Sequence, residues 1–156
     1  MRTFLGLVAV LIVASGLTAS WAPGAALAGD GLRVERPWAR AATSLMRPAA
    51  AYLTVINGTD KQVTLTGASS PAAGMTMIHK TVMDGSVMKM EPAGEIVIAA
   101  GKRFVFKPGG YHIMLMHLKK PIKEGDTFQL SVEFAGGKTL DVKVPVLATA
   151  ASGPKP

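Results

Sequence analysis

Histidine and methionine side chains recur at short offsets between residues 79 and 114. His79 is followed by Met88 and Met90, and then by His112 and Met114. Imidazole nitrogen and thioether sulfur together suit Cu(I), a soft ion that needs no anionic ligand. Zinc prefers Cys, His or carboxylate ligands, and calcium and magnesium prefer oxygen. Because the chain has no cysteine, a blue-copper electron-transfer site, which requires a thiolate, is excluded.

The order of these residues suggests how strands would bring them together. An Asp-Gly dipeptide at 84–85 predicts the two-residue loop of a β-hairpin. With that loop, His79 lies directly opposite Met90, and opposed side chains project to the same face. His112 and Met114 are two residues apart, so they share one face of another strand. The spacing therefore predicts a four-ligand site if that strand lies near the hairpin.

The elements that would position these ligands are short strands separated by Gly, Pro, Asn and Asp residues. Between residues 32 and 146 such runs recur, and no segment shows a sustained helical period. This pattern predicts an all-β sandwich or small barrel. The last residues, 147–156, are rich in Ala, Ser, Gly and Pro, which predicts a disordered tail.

The beginning of the chain has the pattern of an export signal. Arg2 precedes an apolar run over 4–17, and an Ala-Leu-Ala sequence follows at 26–28. These features predict a signal peptide at 1–28, cleavage after Ala28 and a folded domain at 29–146 without a membrane span. The formal charge of +7 comes mostly from dispersed lysines, so a nucleic-acid partner is not expected.

The ligand spacing resembles a known motif. His79, ten residues, Met90, twenty-one residues, His112, one residue and Met114 match the H-x10-M-x21-H-x-M motif of the PCu(A)C-type periplasmic copper chaperones. Flanking sequences around Trp38 and from 109 to 126 are similar to blocks of that family, so the resemblance covers 32–146. It implies a cupredoxin-like Greek-key β-sandwich in the periplasm, with a Cu(I) site made by these four residues.

The resemblance also implies a role and a partner. Family members are linked to copper delivery for cytochrome c oxidase assembly, notably the CuA centre. The acceptor would be a copper-accepting protein such as cytochrome c oxidase subunit II or a Sco-type protein, and the chain is expected to be a monomer. Two alternatives remain open, a periplasmic copper scavenger without a dedicated acceptor and a metal-free structural β-domain. No Ser-His-Asp set is suggested, so an enzyme is not expected.

The other sulfur and nitrogen side chains have simpler interpretations. Methionine is a flexible core residue, so ordinary packing is predicted for Met46, Met75, Met77, Met83 and Met116. Met88 lies on the predicted face of Met90 and is the best substitute ligand. His117 has the opposite parity to His112 and is predicted to point away from the site. Trp38 and Tyr111 are predicted to be packing residues.

Overall fold

Residues 31–154 are described by the computed structural model, and the predicted signal peptide at 1–28 lies outside them. This range contains strands and turns but no helix, and hence no helix long and apolar enough to span a membrane. The predicted all-β class is confirmed. There are ten strands: β1 Gly31–Arg40, β2 Ala49–Gly58, β3 Val63–Ser69, β4 Ala73–Asp84, β5 Val87–Pro92, β6 Ile96–Ile98, β7 Arg103–Val105, β8 Tyr111–Leu118, β9 Thr127–Phe134 and β10 Thr139–Leu147.

The strands form one hydrogen-bonded path around a single core. Their order is β5-β4-β8-β2-β1-β10-β9-β3-β6, and β7 pairs with the second half of β2. The two halves of the path meet where β1 runs parallel to the end of β10. Ile113 and Leu115 of β8 and Leu130 and Val132 of β9 are all fully buried in the same core cluster. The two halves therefore pack as the layers of a sandwich.

Alternation along β4 and β8 separates a core face from an outer face. Ile78 and Ile113 are buried in the core cluster, and their neighbours in sequence, His79 and His112, project to the opposite side. The predicted ligands thus lie on the outer face of the sheet, away from the hydrophobic core.

The C-terminal segment makes hydrogen bonds to the end of β1 and to the residue that follows it. β10 includes Leu147, and the Arg40 side chain donates a hydrogen bond from Nε to the Ala151 carbonyl at 2.8 Å. The hydroxyl of Thr149 donates to the Ala41 carbonyl at 3.3 Å. Residues 147–151 thus make specific hydrogen bonds to Arg40 and Ala41, and the disordered tail at 147–156 stays a prediction.

A buried amide links β2 to the loops around it. Asn57 is fully buried, and its Nδ2 donates to the carbonyl oxygens of Lys61 at 2.8 Å, Ile98 at 2.9 Å and Ala99 at 3.1 Å. Its Oδ1 accepts a hydrogen bond from the Thr59 backbone at 3.1 Å. The side chain thus ties the end of β2 to the end of β6 and to the turn at 59–61 through hydrogen bonds to the backbone.

Two aromatic predictions are confirmed. Trp38 is buried, and its ring centroid lies 4.4 Å from that of Tyr52. Tyr111 packs against the core with its ring centroid 4.9 Å from that of Phe104.

Candidate metal centre

β4 and β5 form the predicted hairpin, but its loop begins one residue later than expected. Asp84 pairs with Val87, so the loop consists of Gly85 and Ser86. Gly85 has a positive φ of 64°, whereas Ser86 does not. Glycine at the first of two loop positions is the signature of a type II′ turn, which suits the twist of a hairpin.

This loop changes the partners of the predicted ligands. Met90 lies opposite Thr81, and His79 lies opposite Pro92, so the predicted direct pairing of His79 with Met90 is wrong. Thr81 and His79 are two residues apart, which places them on one face of β4. Met90 therefore remains on the face of His79, one pair closer to the loop.

β8, which carries His112 and Met114, lies beside the hairpin, as the predicted four-ligand site requires. β8 pairs with β4 so that His112 is directly opposite His79, and Met114 is opposite Met77. The Nδ1 atom of His79 is 2.6 Å from the Sδ atom of Met114. The two imidazole centroids are 6.0 Å apart, with planes inclined at 68°. Three of the four predicted ligands thus form one cluster.

His112 has the orientation expected of a metal ligand. Its Nδ1 lies 3.0 Å from the Gly110 carbonyl oxygen, and that contact is a hydrogen bond only if Nδ1 carries the proton. In the neutral ring the other nitrogen, Nε2, is then unprotonated, and within residues 31–154 this buried atom has no hydrogen-bond partner. Buried polar atoms are rarely left unpaired, and histidines that bind metal commonly donate the second ring N–H to a carbonyl.

His79 is tuned towards its neutral form. Burial lowers the pKa of the His79 imidazole, and the neighbouring His112 lowers that pKa further. A neutral imidazole keeps a lone pair on one nitrogen and can bind a metal without first losing a proton.

Met90 lies at the rim of a cleft that reaches this cluster. The cleft has a volume of about 650 Å³ and separates the segment 41–48 from the hairpin, and Met88, Met90, His112 and Met114 all line it. Met90 is 61% exposed and Met88 is 63% exposed. The structure thus brings Met90 to the same cleft, and it leaves Met88 as a possible substitute at a similar depth.

Several methionines do not occupy the places predicted for them. Met46, Met75 and Met83 are 92%, 46% and 63% exposed, so their predicted core packing is wrong. Met116 and Met77 are partly buried, but they lie on the outer face. His117 is exposed and does not line the cleft.

Two arginines in the cleft were missed by the sequence reasoning. Arg40 and Arg47 line the same cleft as Met90 and His112. Neither belongs to a charge cluster in the sequence, although Arg40 falls in the block that resembles the copper-chaperone family. Within residues 31–154, no group of three or more His, Asp or Glu side chains could hold a metal ion.

Comparison with known proteins identifies the family. The family model described as "Putative lipoprotein LpqE-like" matches residues 32–146. The chain belongs to the LpqE-like family. This family is of the PCuAC type, which confirms the resemblance drawn from the ligand spacing.

Individual relatives of this LpqE-like chain agree with that assignment. "Putative lipoprotein Lxx21020" of Leifsonia xyli subsp. xyli is 37% identical over 118 residues, which is 75% of this chain and 70% of the relative. The solution structure of CuI-DR1885 from Deinococcus radiodurans is 33% identical and has a TM-score of 0.56, covering 80% of this chain and 85% of that one. The apo PCuAC domain of PmoF2 is 22% identical with a TM-score of 0.64, covering 80% and 96% respectively. These likenesses confirm the cupredoxin-like fold.

Proposed function

We propose that this protein binds one Cu(I) ion through His79, Met90, His112 and Met114 and passes it to another protein. The observation that carries the proposal is the buried Nε2 of His112, which has no hydrogen-bond partner among residues 31–154. The ring of His112 lies 6.0 Å from that of His79, and His79 contacts Met114. Support also comes from the names of two relatives, the CuI form of DR1885 and a copper-bound PCuAC domain of PmoF2.

The ligand set is neutral and soft. Two imidazoles and two thioethers add no negative charge, which suits a monovalent d10 ion and disfavours hard divalent cations. Metal–nitrogen and metal–sulfur bonds of about 2.0 and 2.3 Å would place tetrahedral ligand atoms about 3.5 Å apart. The Nδ1 of His79 and the Sδ of Met114 are 2.6 Å apart. Binding would therefore separate them by about 1 Å, which the flexible methionine side chain can absorb.

The site is arranged for stepwise release. Met90 is mostly exposed at the rim, whereas His112 is only 5% exposed. An incoming acceptor would therefore replace the Met90 thioether first and the His112 imidazole last. Arg40 and Arg47 in the same cleft would favour an acceptor with an acidic surface.

The proposal also includes a periplasmic location and a copper-accepting protein. Export through a signal peptide at 1–28 would deliver the folded domain to the periplasm, and relatives named as lipoproteins support export. The acceptor we propose is cytochrome c oxidase subunit II or a Sco-type protein, in the assembly of the CuA centre. A periplasmic scavenger with the same site and no dedicated acceptor is the second candidate.

X-ray absorption of the protein loaded with one equivalent of Cu(I) tests the site directly. We expect two nitrogen and two sulfur neighbours, with one sulfur lost in Met90→Leu. The matched control is Met46→Leu, because Met46 is 92% exposed and does not line the cleft. A spectrum without sulfur neighbours would contradict the ligand set, and a purified protein that takes up no copper would favour the metal-free structural domain.

A transfer experiment separates delivery from scavenging. Copper should move to a copper-free acceptor faster than it is lost to buffer, and equal rates would exclude a chaperone role. In a deletion strain, loss of oxidase activity at low copper supports delivery. Copper sensitivity without that loss supports scavenging.

A further inference from the structure

The outer face of β4 carries a row of soft side chains that continues beyond the candidate metal centre. Every second residue from 75 to 83 projects to this face, and four of the five are Met or His. Each has a partner directly across the sheet. We call these five opposed pairs the methionine ladder: Met75–Met116, Met77–Met114 and His79–His112 across β4 and β8, and Thr81–Met90 and Met83–Met88 across β4 and β5.

We propose that Met75, Met77 and Met116 form a second site for a soft monovalent ion, Cu(I) or Ag(I), made of thioethers alone. Met75 and Met116 are directly opposed, which places their Cβ atoms about 5 Å apart on one face. Met77 is the next residue on the same face of β4. Three unbranched thioether side chains can therefore converge above one point of the sheet.

Core packing does not account for these residues. The core lies on the other side of β4 and β8, where Ile78 and Leu115 are buried. Met75 is 46% exposed, and Met77 and Met116 are partly exposed on the outer face. The solvent-facing side of an antiparallel sheet usually carries polar residues. Here, it presents sulfur at three adjoining positions, open to an ion from solvent.

The second site is separate from the first. Met75 is four residues from His79, about 13 Å along a strand, and none of the three thioethers belongs to the proposed Cu(I) ligand set. Met77 of the second site lies directly opposite Met114 of the first, so the two sites adjoin at this pair while using different side chains. The protein would hold two soft ions, and the second binding event does not rest on the proposed function of the first.

Silver titration of protein with 13C-labelled methionine methyl groups tests this site. We expect two Ag(I) equivalents for the wild type, with shifts at the methyl resonances of Met75 and Met116 during one of them. The variant Met75→Leu with Met116→Leu should bind one equivalent, because leucine keeps a similar volume without the sulfur. Met46→Leu, which changes an exposed methionine outside the ladder, should still bind two.

A variant lacking both candidate imidazoles separates the two proposals. His79→Ala with His112→Ala should keep one Ag(I) equivalent at Met75 and Met116. Three results together would overturn the second site and leave the first intact. The wild type would bind one Ag(I) equivalent, the methyl resonances of Met75 and Met116 would not shift, and the variant without the two imidazoles would bind no Ag(I). Two equivalents retained in Met75→Leu with Met116→Leu would also overturn it. If the imidazole variant does not fold, the wild type and the leucine variant still decide the question.

Discussion

The pH dependence of Cu(I) binding in a His112→Ala variant provides a sharp test of His79. In that variant His79 is the remaining candidate imidazole, and a proton competes with copper for its lone pair. An imidazole with the ordinary pKa of about 6.5 would lose about 25-fold in affinity between pH 7 and pH 5. Burial is the larger cause of the lowered pKa of His79, and it persists without His112. We therefore expect a fall in affinity of less than about 25-fold.

The assay is competition for Cu(I) against bicinchoninate under anaerobic, reducing conditions at pH 7 and pH 5. The acid dependence of the chelator is calibrated without protein. His79→Ala is the companion variant, since it keeps His112 and removes the imidazole under test. An affinity that does not change with pH in His112→Ala would show that His79 is not a ligand. A fall larger than about 25-fold would refute the argument that burial keeps this imidazole neutral.

Three further results are expected. The pKa of His79 is lowered on folding, so the folded state binds fewer protons than the unfolded chain. The metal-free protein should therefore lose stability as pH falls through about 6.5. In urea unfolding at pH 7 and 5, the free energy of unfolding should change less with pH in His79→Ala than in the wild type. Asn57→Ala should lower the free energy of unfolding by about 1–3 kcal/mol, because the Ile98 carbonyl loses a buried hydrogen-bond donor. A loss below about 0.5 kcal/mol in urea unfolding would contradict this. In the bicinchoninate competition, Met90→Leu should weaken Cu(I) binding about tenfold, and Met88→Leu should weaken it much less. A larger loss in Met88→Leu would show that Met88, and not Met90, is the ligand.

The shared face of the ligands could be predicted, although their partners could not. Alternation along a strand depends only on whether a residue number is odd or even. The loop formed at Gly85-Ser86, not at 84–85, and this moved Met90 from His79 to Thr81. The register shifted by two residues, which is one full period of the side-chain alternation, so Met90 stayed on the predicted face. The glycine fits the first position of a type II′ turn as readily as the second of a type I′ turn, and local sequence does not choose between them.

The pairing of His79 with His112 was beyond local sequence reasoning. These residues belong to β4 and β8, which are separated by three strands in sequence, and periodicity does not reveal which distant strands become neighbours. The family motif supplied the connection. The predicted burial of Met75 and Met83 was wrong for a different reason. Apolar side chains are usually buried, but within residues 31–154 these two are 46% and 63% exposed.

The candidate metal centre lies on the side of the sheet that faces away from Leu115 and the rest of the hydrophobic core. Loading and unloading would therefore not disturb the interior that holds the domain together. Unlike a zinc finger, which unfolds without its metal, the empty carrier would keep its shape between deliveries and remain ready to accept the next ion.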